Sequence, residues 1–116
     1  MDWWADFAAK SSGTVYRMTS LFVIDLIYTA DPVEVERHLN DHRAFLERQY
    51  GAGMFLASGR KEPWTGGVIL AAGNRSEILA VLEDDPFKEH GLAEYSVTEF
   101  LPTKTSSELG RYRHSA

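Results

Sequence analysis

Two residues of this chain, His42 and Asp85, have side chains suited to proton transfer. Histidine titrates near neutral pH and can act as a general base or acid. A carboxylate bonded to one imidazole nitrogen fixes the tautomer of the ring and raises the basicity of the other nitrogen. The sequence alone does not establish that the two side chains meet. We predict that they do, and that together they form one catalytic site.

Each of these residues also has a simpler structural interpretation. His42 lies on the apolar stripe of a predicted helix, between Leu39 and Phe45, where a histidine is often buried with its nitrogens satisfied locally. Asp85 stands directly before Pro86, and an aspartate in a turn commonly bonds its own backbone. On the pattern alone, the structural interpretation is favoured for both residues.

Ser58 and Gly59, at the end of a predicted strand, are expected to contact a substrate. A glycine in a strand permits close approach by a ligand or another backbone. Ser58 lacks the surrounding G-x-S-x-G pattern of a nucleophile, so we assign it no nucleophilic role. His38 and His42 are four residues apart and could share a helix face, but no H-E-x-x-H motif accompanies them. We predict neither a metal nor an organic cofactor.

The elements that must position these residues follow the order βαββαβ, which is a ferredoxin-like α+β pattern. Branched and aromatic residues predict strands over residues 21–28, 54–58, 67–72 and about 92–101. We expect a four-stranded antiparallel sheet with two helices on one face.

The two predicted helices begin at similar signals. Asp31 and Asn74 are each followed three residues later by a glutamate, which is the pattern of a capping box. The first helix is expected to run to about residue 49 and to stop at Gly51 and Gly53. The second should end at Asp85, because a proline disfavours helix in the residue before it.

The first and third strands are apolar on both of their faces. Two helices can cover only one face of a four-stranded sheet, and a half-exposed antiparallel sheet should alternate apolar and polar residues. The second face therefore needs a cover. A second copy of the same sheet is the simplest one, so we predict a homodimer.

Composition restricts the class of protein further. The 116 residues suit one domain, and the absence of cysteine excludes a disulfide framework, a cysteine-ligated zinc site and a thiol nucleophile. The formal charge of −5 argues against nucleic acid as a partner, and no apolar run approaches a membrane span. Acidic residues occupy the N-terminus where a signal peptide needs positive charge, so we predict a cytoplasmic protein.

The chain divides into three parts by composition. Residues 1–19 contain two of the three tryptophans and a small polar run, and we expect them to lie outside the domain. The domain itself should span residues 20–103. Residues 104–116 are mostly polar, and we expect a loose tail.

Six short segments, taken in order, resemble the YCII-related (YciI-like) family: residues 41–46, 55–59, 66–69, 84–87, 91–95 and 97–100. The resemblance implies a dimeric α+β barrel with a histidine and an aspartate at the proposed active site, and these correspond to His42 and Asp85. Two positions depart from the pattern. Arg60 stands where many members have proline, and Leu39 where many have arginine.

These observations support two hypotheses of different classes. In the first, the protein is an enzyme of lyase, isomerase or dehydrochlorinase type, in which His42 moves a proton on a small cyclic or carbonyl compound. In the second, it is a non-catalytic barrel that binds a small molecule or serves as an accessory, and His42 and Asp85 are structural. A haem-binding or cofactor-free oxygenase barrel is a third idea, raised only by shared architecture.

Overall fold

The computed structural model describes residues 19–115, so the predictions for residues 1–18 fall outside it. The strands are β1 (Ser20–Tyr28), β2 (Phe55–Arg60), β3 (Gly66–Gly73) and β4 (Ala93–Phe100). The helices are α1 (Pro32–Arg37), α2 (Leu39–Gly51), α3 (Arg75–Leu82), α4 (Pro86–Glu89) and a 3₁₀ helix (Ser107–Tyr112). Within residues 19–115, no helix is both long and apolar enough to cross a membrane.

The four strands form one antiparallel sheet in the order β2-β3-β1-β4. Strands β1 and β2 lie two places apart, with β3 inserted between them, as in a split βαβ unit. This arrangement confirms the predicted ferredoxin-like α+β fold. The apolar strand β1 occupies a central place, where both of its edges are hydrogen-bonded and its side chains are most easily buried.

One face of the sheet carries the main core. Phe22, Ile24 and Leu26 of β1 alternate onto this face and are at most 2% exposed. They pack with Val35 of α1 and Phe45 of α2, among other residues of the helices and neighbouring strands. Burial of these side chains contributes about 2 kcal/mol each through the hydrophobic effect and fixes the helices on the sheet.

The opposite face is partly covered by the end of the chain. Tyr112 and Leu109 of the 3₁₀ helix pack on Leu21 and Ala72. His114 then bonds the backbone carbonyl of Thr19 through Nε2, at 2.6 Å. The expectation of a loose tail was therefore wrong, because this polar segment contains an aromatic residue that the uncovered end of the sheet can bury.

The first helical region differs from the single predicted helix. At His38 the backbone tightens into a bond from its N–H to the carbonyl of Val35, and this separates α1 from α2. Asp31 occupies the N-cap position but makes no side-chain cap bond, and Glu34 instead pairs with Arg37 at 2.6 Å. The predicted capping box is therefore absent. Helix α2 includes Gly51 and ends before Gly53, which has a φ of 77°.

The second helical region contains the expected Asn74 cap, whose side chain accepts a bond from the Glu77 N–H at 2.9 Å. Helix α3 ends at Leu82, three residues before the predicted end. Asp85 lies beyond it, at the N-cap of the short helix α4, which begins at Pro86. This position turns the Asp85 side chain away from solvent and leaves it fully buried.

Candidate active site

His42 and Asp85 lie in direct contact. Nδ1 of His42 is 2.8 Å from Oδ1 of Asp85, and the two side chains are 12% and 0% exposed. Helix α2 supplies the histidine from its inner face, and the N-cap of α4 supplies the carboxylate beside it. Because an ionised carboxylate only accepts hydrogen bonds, Nδ1 is the nitrogen that carries the proton. The lone pair of the neutral imidazole is then on Nε2.

Asp85 is held by two further donors. The backbone N–H of Phe87 donates to Oδ1 at 3.0 Å, and the Tyr95 hydroxyl donates to Oδ2. Burial, followed by the negative charge of Asp85, raises the pKa of the Tyr95 hydroxyl far above its ordinary value, so this phenol stays protonated and donates. Three donors thus compensate the cost of burying the carboxylate.

Both interpretations of Asp85 from the sequence apply at once. Its bond to the Phe87 N–H is the local turn contact expected of an aspartate before a proline. The same Oδ1 atom also accepts from His42, more than forty residues away in the chain. The turn therefore fixes the carboxylate in place, and the fixed carboxylate orients the imidazole.

The imidazole of His42 is also fixed by an aromatic neighbour. The Phe87 ring stacks on it with the ring centroids 4.0 Å apart and the planes 5° from parallel. Nε2 makes no hydrogen bond within residues 19–115, and no buried side-chain nitrogen or oxygen there lacks a partner. Solvent therefore reaches Nε2. The contacts leave this nitrogen available to a ligand while the rest of the ring is held.

Next to His42 lies a cavity of about 420 Å³ between helix α2 and the β2–β3 edge of the sheet. Its walls are largely apolar and include Leu26, Leu39 and Leu46. A cavity of this size, with a few polar groups in apolar walls, is typical of a site for a small molecule. His42 is one of the polar groups that line it.

Ser58 and Gly59, the two predicted substrate contacts, also line this cavity. The Ser58 hydroxyl hydrogen-bonds the hydroxyl of Tyr50, so it is held in one orientation. A Cβ atom added at Gly59 would meet no atom within 4 Å. The folded chain therefore leaves space at Gly59, and substrate binding by the two residues stays a prediction.

His38, four residues before His42, was not predicted to bind a metal, and its ring packs against another histidine. It occupies the break between α1 and α2 and stacks on His90, with the ring centroids 4.1 Å apart. In the part of the chain that the structure describes, no three histidine, aspartate or glutamate side chains are grouped closely enough to hold a metal ion.

Four residues of the site were not singled out from the sequence. Tyr95 bonds Asp85, and Phe87 stacks on His42. At one end of the cavity, the Trp64 indole N–H donates to the Tyr28 hydroxyl at 2.8 Å. Alternation along β4 could have placed Tyr95 on the helix side of the sheet, but nothing local identifies its partner.

Comparison with solved structures finds a similar fold in a dehydrochlorinase and a weaker likeness to an oxygenase. A 5-chloro-2-hydroxyhydroquinone dehydrochlorinase from Burkholderia phenoliruptrix, solved in complex with 2,5-dihydroxybenzoquinone, has a TM-score of 0.62 and 19% identity. The match covers 76% of this chain and 97% of that protein. SnoaB, a cofactor-independent oxygenase from Streptomyces nogalater, has a TM-score of 0.48 and 19% identity, over 77% of this chain and 97% of that one.

The sequence comparisons differ in what they find. A search of curated proteins finds no significant match. The profile of the YCII-related domain, in contrast, matches residues 21–101, which is most of the chain and nearly all of the described fold. This protein therefore belongs to the YCII-related domain family.

Proposed function

We propose that this protein is an enzyme that transfers protons on a small cyclic compound with a carbonyl or hydroxyl group. His42 is the general base, and Asp85 orients it. The observation that carries the proposal is the arrangement of His42, with Nδ1 held by a buried carboxylate and Nε2 accessible beside a cavity of about 420 Å³. A buried carboxylate behind an imidazole stabilises the imidazolium that forms when the base takes a proton.

The proposed step begins with Nε2 of His42 taking a proton from an O–H or C–H bond of the substrate. The electron pair of that bond stays with the substrate. It can then form a new double bond and expel a leaving group such as chloride from an sp³ carbon of the ring, and the imidazolium releases its proton to solvent, which completes an elimination. Alternatively, the substrate takes the proton back from the imidazolium at another carbon, which completes an isomerisation. Both routes need only side chains that are present in the site, so we propose a reaction without metal or organic cofactor.

The volume and the apolar walls of the cavity favour a single-ring substrate. Its volume lies at the small end of the range for ligand sites, and its apolar walls can hold an aromatic or quinone ring. The dehydrochlorinase of similar fold was solved with a dihydroxybenzoquinone, which is a compound of this size. At 19% identity the likeness concerns the fold alone, so the ring substrate rests on the cavity of this chain.

We also propose that the protein is a homodimer formed through the open sheet face. Four apolar side chains of this face, on the two central strands and β4, remain between 37% and 50% exposed: Val23, Ile27, Val68 and Phe100. Among residues 19–115, the 3₁₀ helix covers the end of the face near Leu21. A second copy of the sheet would bury the rest. The cytoplasmic location stays a prediction from the sequence.

The experiment is a turnover assay on a panel of hydroxylated ring compounds. Chloride release from 5-chloro-2-hydroxyhydroquinone reports elimination, and loss of ring-proton NMR signals in D₂O reports proton exchange. We expect His42→Ala to lower the rate of whichever reaction the wild-type protein catalyses by about 100-fold or more. Asp85→Asn should lower the same rate by a smaller factor. His90→Ala, at a surface histidine outside the cavity, is the matched control and should keep the wild-type rate.

Two results would contradict the proposal. One is a folded His42→Ala variant, judged by circular dichroism and melting temperature, that turns over substrate at the wild-type rate. The other is a wild-type protein that binds ring compounds but catalyses neither reaction on any of them, which would favour the non-catalytic binding hypothesis.

A further inference from the structure

Two arginines that the proposed proton transfer does not use line the same cavity. Arg43 follows His42 on helix α2, and Arg60 is the last residue of β2. Neither forms an ion pair with another residue in the range 19–115, and Arg43 has only a 3.5 Å contact with Asn40. Arginines on a protein surface are often solvated, whereas these two line the wall of a cavity.

The sheet register places Arg60 on the cavity side. Arg60 is opposite Gly67, which in turn is opposite Leu26, and Leu26 is a core residue of the helix-covered face. Side chains opposite one another across an antiparallel pair lie on the same face. Gly67 places no side chain between Arg60 and Leu26 on this face, and Arg60 and Leu26 both line the cavity.

Tyr28 lies near this end of β1 and supplies a second donor. Its hydroxyl oxygen accepts the Trp64 indole N–H at 2.8 Å, while its own proton has no acceptor among the described residues. Burial is the largest influence on the Tyr28 pKa and raises it, whereas the positive charge of Arg60 acts in the opposite direction. Tyr28 and Arg60 both line the cavity, and because burial raises the Tyr28 pKa, its hydroxyl remains a donor at neutral pH.

The charge of the cavity differs from that of the whole chain. Arg43 and Arg60 oppose a single lining carboxylate, Glu36, within the described residues, although the chain as a whole has a formal charge of −5. The Asp85 carboxylate lies behind His42, already holds three donors and is not part of the cavity wall. A locally positive pocket in an acidic protein attracts anions and repels cations.

We propose that Tyr28, Arg43 and Arg60 form an anion subsite, and that the ligand of this cavity is a small ring compound with an ionised oxygen. The ionised oxygen is a carboxylate or the enolate-type oxygen of an acidic hydroxyl. This inference deepens the proposed function and rests on it only in placing the ligand beside His42. Arginine suits the role because its fork of N–H groups matches oxygen anions and keeps its charge at any physiological pH.

The test measures binding by calorimetry, without any requirement for turnover. The probes are 2,5-dihydroxybenzoquinone, whose hydroxyls are vinylogous acids and ionise at neutral pH, its uncharged dimethyl ether, and benzoate. We expect at least one of the two anions to bind about tenfold or more tightly than the ether. Arg60→Gln and Arg43→Gln should each remove about tenfold of the anion affinity and change ether binding less than threefold. Tyr28→Phe should lower the affinity for the anion by a smaller factor.

The matched control is Arg48→Gln, an exposed arginine on helix α2 outside the cavity, which should leave all affinities unchanged. Arginine-dependent binding of benzoate alone identifies a carboxylate ligand, and that of the quinone alone identifies an enolate-type oxygen. The inference would be overturned if the anions and the ether bind with equal affinity, or if no probe binds. It would also be overturned if the arginine variants lose affinity for the anions and the ether equally, or if neither variant loses affinity for the anions. If the wild-type protein shows no turnover, while His42→Ala binds the anion as tightly as the wild type does, the subsite stands and the proposed function fails.

Discussion

The Tyr95 hydroxyl offers a sharp test of how the His42–Asp85 pair is held. It donates to Oδ2 of Asp85, the oxygen that neither His42 nor the Phe87 N–H uses. Tyr95→Phe removes this hydroxyl and keeps the ring, so packing in β4 is preserved. The variant therefore reports on one hydrogen bond to a buried charge.

The expected loss of stability follows from the burial of Asp85. The carboxylate is 0% exposed, so water cannot replace the missing donor without rearrangement. A hydrogen bond to a charged group contributes about 1.5–3 kcal/mol. We expect the free energy of unfolding of Tyr95→Phe to fall by this amount at about pH 8.

The same contact predicts how this difference changes with pH. Burial and the charge of Asp85 raise the pKa of Tyr95 above its ordinary value of 10.0, so above that pH the unfolded chain loses the proton while the folded chain keeps it. The stability that the retained Tyr95 proton contributes is fully present below about pH 10, and it is lost as the pH rises toward the pKa of Tyr95 in the folded state. Only the wild-type protein has the Tyr95 hydroxyl. The difference in free energy of unfolding between wild type and Tyr95→Phe should therefore be about 1.4 kcal/mol smaller at about pH 11 than at about pH 8.

Urea unfolding followed by circular dichroism at both pH values measures these quantities. Tyr50→Phe is the matched control at the lower pH, because its hydroxyl bonds the exposed Ser58, and it should cost about 1 kcal/mol or less. A cycle with Asp85→Asn should give a coupling energy above about 1 kcal/mol. A Tyr95→Phe variant as stable as wild type, or a difference that does not change with pH, would refute the reasoning.

Three further predictions concern the rest of the chain. Val23→Lys places a charge in the centre of the open sheet face and should convert the homodimer to a monomer in light scattering at micromolar concentration; a wild-type monomer would contradict the dimer. Tyr112→Ala removes the ring that packs on Leu21 and should lower the free energy of unfolding by about 3 kcal/mol in urea titration, whereas a wild-type value would mean that the 3₁₀ helix adds no stability. A chain beginning at Met18 should melt at the full-length temperature by calorimetry, because we expect the domain to start after it. Clearly earlier melting would place Trp3 and Trp4 in contact with the domain.

The order of elements and the sheet could be predicted from the sequence because their signals are local. Branched and aromatic residues mark β1 and β3, and Asn74 marks the start of α3 with a cap that needs only the next turn of chain. The apolar residues on both faces of β1 also predicted that the second face of the sheet needs a cover, and the 3₁₀ helix covers one end of that face. The position of His42 on the inner side of its helix followed from the helical spacing of the apolar residues around it.

The sequence-based errors arose where a group has a competing partner that the sequence pattern does not reveal, either nearby or distant in the chain. Glu34 pairs with Arg37 in place of completing a capping box, and the helix breaks at His38, for which the pattern carries no signal. The polar composition of residues 104–116 indicated a loose tail. An end of the sheet that only the folded chain presents gives Tyr112 a surface on which to pack.

The candidate site shows the same division between local and tertiary information. The sequence determined that His42 faces inward, that Asp85 lies in the turn before Pro86, and that Ser58 and Gly59 lie near the end of a strand. Only the tertiary structure decided that Tyr95 and Phe87 complete the surroundings of the pair, and that Arg43 and Arg60 share one cavity with it. Periodicity fixes the direction of a side chain relative to its own element, whereas the partner it meets depends on how the sheet register and the helix packing bring different elements together.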